Sequence, residues 1–186
     1  VRAAAQLVDD GIGVPVLLGR RDRITALAED GNIDLEGIEI EGPSTSPRRE
    51  AYARFLWEKR QRKGWSLDEA RRRLYNGNYF GSCMVANGDA DALVSGVNLH
   101  YPETIRPALE VIGAHPKAGI VSGLYMLVFD HHVVICGDTT VNIDPSSEQL
   151  AQIAYAAARI TRTLGIEPRI AMLSFSNFGS VRHPEA

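Results

Sequence analysis

Apolar residues recur along the chain with two kinds of spacing, one typical of strands and one typical of helices. Short apolar runs at 14–18, 92–94, 120–129, 133–136 and 170–173 predict buried strands, and apolar residues that alternate with acidic ones at 35–40 predict a half-buried strand. Helix-spaced patterns at 22–29, 48–63, 79–86, 105–112 and 146–164 separate them. Strands that alternate with helices favour the α/β class.

Helix boundaries are marked by capping residues. Ser66 with Glu69 and Ser146 with Gln149 have the spacing of a capping box, in which two side chains satisfy free backbone N–H groups at a helix start. Gly64 and Gly165 are placed to end helices. Thr104 is placed to start the helix over 105–112, with Pro107 in its first turn, where a missing N–H costs nothing.

The segment 130–132 predicts a hairpin turn between two apolar strands. Its two adjacent histidines, His131 and His132, would point in opposite directions, so we expect no shared metal there or elsewhere. Glycine-rich phosphate loops of the dinucleotide-binding or P-loop type are absent from the sequence, as is a serine hydrolase elbow. A dehydrogenase is therefore disfavoured.

Charge and composition exclude several classes of function. The formal net charge of −3 argues against a general nucleic-acid binder. The longest apolar stretch, 119–129, is about half of the ~20 residues that a transmembrane helix needs. The two cysteines, Cys83 and Cys136, have no metal-ligand spacing and predict reduced thiols. We expect a soluble, cytoplasmic protein without a membrane segment.

Both ends of the sequence predict a truncated domain. Val1 stands directly in an amphipathic pattern with no capping residue before it, and the chain stops soon after the strand predicted at 170–173. We expect an apolar face that further chain would cover.

Three segments are candidates for binding chemistry. In the first, Ser95 and Gly96 follow a predicted strand, and Thr104 and Arg106 open the next helix. A capped helix N-terminus with an arginine in its first turn suits a phosphate group. The alternative is that Thr104 is only a cap and Arg106 only a solvated cation.

The second candidate is a basic run over 48–73 that contains Arg60. A positive face on an acidic protein suits a polyanionic small molecule, although a solvated helix face has the same composition. The run holds ten cations (Arg48, Arg49, Arg54, Lys59, Arg60, Arg62, Lys63, Arg71, Arg72, Arg73) and four acids (Glu50, Glu58, Asp68, Glu69).

The third candidate, with Ser174, Ser176 and Asn177, follows the last predicted strand. Hydroxyl and amide groups at the carboxyl end of a strand suit oxygen-rich ligands. They suit an ordinary turn equally well, and the pattern leaves both interpretations open.

Three ordered motifs resemble the phosphate acetyl/butyryltransferase (phosphotransacetylase) family. The first is Ala-Asp-Ala-Leu-Val-Ser-Gly at 90–96 with Thr-Ile-Arg-Pro-Ala-Leu at 104–109. The second is Gly-Asp-Thr-Thr-Val-Asn at 137–142 with Pro-Ser-Ser-Glu at 145–148, and the third is Gly-Ile-Glu-Pro-Arg-Ile-Ala-Met-Leu-Ser at 165–174. Together they cover nearly the whole chain.

The resemblance implies a three-layer α/β/α fold of the isocitrate/isopropylmalate dehydrogenase type, with two domains around a cleft. The first domain would span 1–118 and the second would start at 119–186, both incomplete. It implies that Arg60 and Arg106 face CoA and the acyl phosphate, with Ser95, Thr104, Ser174, Ser176 and Asn177 as further candidates. It also implies that the catalytic residues lie beyond the C-terminus.

The segment 176–180 resembles a particular version of this domain, the one fused behind the catalytic half of NADP-dependent malic enzymes. That resemblance implies an acetyl-CoA-responsive regulatory domain attached to a malic enzyme, in a homodimer or larger oligomer. The alternative is an active phosphotransacetylase, which interconverts acetyl-CoA plus phosphate and acetyl phosphate plus CoA. Either role needs CoA or acetyl-CoA as substrate or effector and no tightly bound cofactor.

Overall fold

A computed structural model describes residues 1–97, 99–115 and 119–173. The chain divides into two compact units, Val1–Gly113 and Ala114–Ala186. Each unit is built around its own helix and strand contacts and is described separately below.

The first unit contains the helices α1 to α6 and one short parallel sheet. The helices are α1 (Arg2–Asp9), α2 (Arg21–Asp30), α3 (Arg49–Arg60), α4 (Leu67–Arg73), α5 (Gly77–Asn87) and α6 (Tyr101–Val111), with a 3₁₀ turn at Gln61–Lys63. The strands are β1 (Val16–Leu18) and β2 (Glu39–Glu41), which pair in parallel with Leu17 opposite Ile40.

Two strand predictions for the first unit need correction. The strand predicted at 35–40 begins only at Glu39, because a turn occupies the residues before it: the Asp34 carboxylate accepts the Glu36 N–H at 2.9 Å, and Gly37 has a φ of 75°. The strand predicted at 92–94 is not formed. Leu93 packs towards Gly81, while Val94 is 95% exposed, so the segment pairs with no described strand.

Capping side chains define the starts of α4 and α5, and the one at α4 is the serine that the sequence predicts. The Ser66 hydroxyl accepts the Glu69 N–H at α4, and the side-chain carbonyl of Asn76 accepts the Asn78 N–H at α5. Gly64 and Gly88 end their helices with φ values of 85° and 77°, which glycine adopts without strain.

The core of the first unit lies between α3, α5 and the elements beside them. Its fully buried side chains include Leu56, Leu74, Phe80 and Val111. Tyr52 packs edge-to-face on Phe80 with ring centroids 5.1 Å apart, and its hydroxyl donates to Asp89 at 2.5 Å. Burying these groups is the main source of stability, at about 1.5–3 kcal/mol for each large apolar side chain. The core therefore fixes α5 against α3 and α6.

The second unit is a hairpin with one helix. Strands β3 (Leu124–Val128) and β4 (Val133–Gly137) pair antiparallel through the turn that the sequence predicts, with the Phe129 N–H donating to the His132 carbonyl at 2.9 Å. Helix α7 (Ser147–Thr163) begins with the predicted capping box of Ser146 and Gln149. The last predicted strand is not formed over 170–173, where Leu173 is 92% exposed.

Apolar side chains of the hairpin are exposed on both faces. Tyr125 is 52% exposed, Met126 54% and Val128 70%. Apolar residues recur at helical spacing along and just after α7, and of these only Ile153 is buried (Leu150, Ile153, Ala157, Ile160, Leu164).

Within the part of the chain that the structure describes, no helix combines the length and the apolar character needed to cross a bilayer.

Candidate functional site

Helix α6 begins four residues earlier than the sequence predicts, at Tyr101 instead of residue 105. His100 is the residue before its first turn, and Pro102 lies in that turn. Thr104 is therefore inside the helix, where it cannot act as a cap. Its hydroxyl oxygen is buried and has no hydrogen-bond partner in the described residues. The predicted capped anion site at Thr104 is wrong in this respect.

The start of α6 also carries a negative charge. Glu103 lies in its first turn, where a carboxylate interacts favourably with the positive end of the helix dipole. Arg106 lies on the exposed surface one turn further on. An anion near α6 would consequently depend on Arg106 more than on free backbone N–H groups.

Asn78 connects the two halves of the first motif. Its side-chain amide donates to the Glu103 carbonyl of α6 at 3.4 Å, and its side-chain carbonyl accepts the Ser95 hydroxyl at 2.6 Å. Asn78 is 7% exposed, so the start of α5 fixes both contacts in a largely buried position. Ser95 and α6 are thus joined through a residue that lies outside the motif.

Arg60 contacts α6 near the C-terminal end of the helix. Its guanidinium lies 3.6 Å from the Glu110 carboxylate, and both side chains are mostly buried, at 23% and 19% exposure. The Tyr79 hydroxyl donates to the same carboxylate. Glu110 therefore holds an arginine of α3 and a tyrosine of α5 together on α6.

Two more arginines, Arg73 and Arg106, interact with Tyr79. The Arg73 guanidinium lies over the Trp65 ring at 5.1 Å and over the Tyr79 ring at 5.6 Å, and Arg60 lies over Trp65 at 5.5 Å. The positive charge of Arg106 acts to lower the pKa of Tyr79. Cation–π contacts of this kind contribute about 0.5–2 kcal/mol each.

Tyr79 stays protonated at physiological pH. Burial raises its pKa, and the hydrogen bond to Glu110 and that group's negative charge raise it further, to about 12, although the positive charges of Arg73 and Arg106 oppose the shift. The hydroxyl is thus a permanent donor to Glu110. We call the group of Arg60, Arg73, Arg106, Tyr79 and Glu110 the arginine cluster.

Most cations of the basic run have partners in the protein. Arg71 pairs with Glu50 at 2.7 Å, and Arg72 pairs with Glu69 at 2.7 Å. The Lys59 ammonium donates to the Val111 carbonyl at the end of α6. In the described residues Arg62 and Lys63 show no ion pair or side-chain hydrogen bond. They leave a positive surface in the 3₁₀ turn directly after Arg60.

Neither cysteine forms a disulfide. Cys83 is fully buried, and burial raises the pKa of its thiol to about 12, against a smaller opposing effect of Lys59. A thiol with that pKa carries almost no thiolate at neutral pH and is a poor nucleophile. Cys83 belongs to the core and not to a reactive site.

In the second unit, Asp138 organises the second motif. One carboxylate oxygen accepts the N–H groups of Gly123, Thr140 and Val141 at 2.9–3.1 Å, and the other accepts the Asn142 N–H at 2.9 Å. Burial disfavours the charged form, but these donors outweigh it and lower the pKa of Asp138 to about 2. The loop after β4 is thereby tied to the residue before β3.

Three of the candidate residues, Ser174, Ser176 and Asn177, lie outside the described residues. In the ranges that the structure covers, no group of three or more histidine, cysteine or acidic side chains is arranged to hold a metal ion.

A family model described as phosphate acetyl/butaryl transferase matches residues 1–186. The chain belongs to the phosphate acetyl/butaryl transferase family.

Curated relatives and a solved structure agree with this assignment. The chain is 38% identical over 180 residues to a phosphate acetyltransferase of Nitratidesulfovibrio vulgaris and 40% identical over 182 residues to one of Synechocystis sp., in each case over 97% of this chain. A phosphotransacetylase from Streptococcus pyogenes superimposes with a TM-score of 0.88 at 32% identity over 98% of this chain. The mixed α/β fold is therefore that of solved phosphotransacetylases.

The chain is shorter than these proteins. It spans 26% of each of the two curated relatives and 56% of the S. pyogenes chain.

Family motifs located Ser95, Thr104 and Arg106, but they missed Asn78, Tyr79 and Glu110. One signal was present: Glu110 lies four residues after Arg106, so the two share a face of α6. Nothing in the local pattern showed that α5 would supply their partners, because those contacts depend on tertiary packing.

Proposed function

We propose that this chain forms the CoA-binding part of a phosphate acetyltransferase that interconverts acetyl-CoA plus phosphate and acetyl phosphate plus CoA. The observation that carries the proposal is the arginine cluster in a chain that the family model matches along its whole length. Arg60 and Arg106, which the family resemblance assigns to CoA and the acyl phosphate, act on the same Glu110–Tyr79 pair.

The reaction is an acyl transfer. The sulfur of the CoA thiolate attacks the carbonyl carbon of acetyl phosphate, a C–S bond forms, and the C–O bond to phosphate breaks as phosphate leaves with the electron pair. Fixed positive charges stabilise the transition state because negative charge develops on the carbonyl oxygen and on the departing phosphate. The step needs no electron transfer.

In this scheme the arginine cluster binds and orients phosphate groups. Arginine matches phosphate geometry with two parallel hydrogen bonds. Tyr79 would hold Glu110 in place by its hydrogen bond when a phosphate competes for Arg60. Arg62 and Lys63, which have no partner among the described residues, would add attraction for a polyanion.

Several finer features belong to the same proposal. We expect a three-layer sandwich of the isocitrate/isopropylmalate dehydrogenase type, with a domain boundary near 118–119, and a homo-oligomer in the cytoplasm. The exposed apolar side chains on both faces of the hairpin support a sheet that further layers cover. The division into two compact units after Gly113 supports a domain boundary in this region. The catalytic residues would lie outside this chain.

A second candidate is an acetyl-CoA-responsive regulatory domain of an NADP-dependent malic enzyme. Its support is the sequence of the segment 176–180. The relatives described above are phosphate acetyltransferases, and we therefore favour the catalytic function.

Binding of CoA to the intact protein tests the proposal. Arg106→Ala should weaken CoA or acetyl phosphate binding by about 1.5–3 kcal/mol, the range for a hydrogen bond to a charged group. Arg23→Ala is the matched control, since Arg23 is an exposed arginine of α2 without an ion pair in the described residues. Calorimetric titrations in which both variants bind like the wild type would remove Arg106 from the site.

A further inference from the structure

Pro107 leaves a gap in the hydrogen bonding of α6. It lies inside the helix and has no N–H, so the carbonyl of Glu103, four residues earlier, receives no backbone donor from it. A proline there normally costs about 3 kcal/mol or more. The Asn78 amide donates to this same carbonyl at 3.4 Å. Asn78 therefore replaces the bond that Pro107 removes.

This contact fixes the orientation of the Asn78 amide. The Glu103 carbonyl can only accept, so the amide nitrogen must face it, and the reverse orientation would set two acceptors against each other. The Asn78 side-chain oxygen then faces Ser95 at 2.6 Å and can also only accept. The single proton of the Ser95 hydroxyl is consequently directed to Asn78.

We propose that Asn78 is a positioning residue that holds Ser95 as a hydrogen-bond acceptor for CoA. With its proton committed to Asn78, the Ser95 oxygen offers only lone pairs to a ligand. Ser95 is exposed to solvent, so these lone pairs are accessible to a ligand.

The proposal rests on the proposed function and distinguishes the two substrates of that reaction. Acetyl phosphate is an anion without N–H or O–H groups at neutral pH, so a hydroxyl that can only accept has nothing to bind there. CoA carries a thiol, amide N–H groups and hydroxyls, all of which can donate. Ser95 would thus contact CoA. A serine hydroxyl that is free to donate would instead suit the phosphate group of acetyl phosphate.

Steady-state kinetics of the intact protein test the role of Ser95. Asn78→Ala and Ser95→Ala should each raise KM for CoA by roughly fivefold or more, the effect of one lost hydrogen bond of about 1 kcal/mol, and should leave KM for acetyl phosphate within about twofold. Asn87→Ala is the matched control, because its amide also donates to a backbone carbonyl on α5, that of Cys83 at 2.7 Å. It should change neither constant. A rise in KM for acetyl phosphate with an unchanged KM for CoA would overturn the proposal.

A double-variant cycle separates positioning from stability. Pro107→Ala restores the missing N–H, so Asn78→Ala should lower the urea midpoint less in the Pro107→Ala background than in the wild type. The double variant should still have the raised KM for CoA, because Ser95 still lacks its partner. Equal midpoint losses in both backgrounds, or recovery of KM together with the midpoint, would refute the positioning role. Failure of the wild type to transfer acetyl groups would instead count against the proposed function, while the unfolding cycle would still test the Asn78–Glu103 contact.

Discussion

Asp138→Asn tests the most heavily hydrogen-bonded side chain of the second unit. The change keeps the size of the side chain but removes its charge and turns one acceptor oxygen into a donor. That NH₂ group must face either the Asn142 N–H or the three N–H groups of Gly123, Thr140 and Val141. Donors would then oppose donors, and the loop after β4 should loosen.

The pKa of Asp138 gives the size of the effect. Folding lowers it from 3.8 to about 2, and each unit of difference between folded and unfolded states is worth about 1.4 kcal/mol. The upper limit is thus about 2.5 kcal/mol, and screening by solvent around a partly exposed carboxylate reduces it to about 1 kcal/mol. Because the pKa is lowered on folding, this stability is present above about pH 4 and is lost as the pH falls towards 2.

Urea unfolding followed by circular dichroism from pH 7 to pH 2 measures this dependence. The difference between wild type and Asp138→Asn should be largest at pH 7 and should shrink below pH 4. Amide hydrogen exchange should show faster exchange at Thr140, Val141 and Asn142 in the variant. Asp144→Asn is the control, an exposed aspartate in the same connection with no side-chain hydrogen bond among the described residues. Equal, pH-independent losses in both variants would refute the reasoning.

Three further outcomes concern Tyr79, the two cysteines and Arg60. Tyr79→Phe should lower the free energy of unfolding by about 1–3 kcal/mol, since Glu110 loses a donor while mostly buried, and an unchanged urea midpoint would contradict this. Ellman's reagent should react with the half-buried Cys136 before the fully buried Cys83, and equal rates in the folded protein would show that Cys83 is not a core thiol. Arg60→Ala should reduce CoA affinity, its salt dependence and the preference for CoA over dephospho-CoA; wild-type discrimination in the variant would mean that Arg60 does not meet the 3′-phosphate.

Local signals predict the caps of α4 and α7. Ser66, Ser146 and Gln149 cap where the sequence places them, and Gly64 ends the 3₁₀ turn after α3. These features depend on hydrogen bonds between residues within a few positions of each other, so the sequence alone contains both partners.

Long-range contacts explain what the sequence did not predict. The sequence favours a place for Pro107 in the first turn, because a proline further inside a helix leaves the carbonyl four residues earlier without its backbone donor. The structure supplies that donor from Asn78, 25 positions away from Glu103 in the sequence. The start of α6 therefore moves back to Tyr101, and Thr104 loses its predicted role as a cap.

The strand predictions at 92–94 and 170–173 failed for a related reason. A strand needs a neighbour to accept its backbone hydrogen bonds, and in the described residues the only ladders are β1 with β2 and β3 with β4. Apolar composition identifies a segment that can be buried, but it does not supply the partner strand.

The most direct test of the proposed function is the rate at which the intact protein converts acetyl phosphate and CoA into acetyl-CoA and phosphate. Malate oxidation with and without acetyl-CoA is measured beside it. We predict saturable acetyl transfer that falls in the Arg106→Ala variant and not in Arg23→Ala. Absence of acetyl transfer, together with malate oxidation that responds to acetyl-CoA, would contradict the proposed function and favour the regulatory domain.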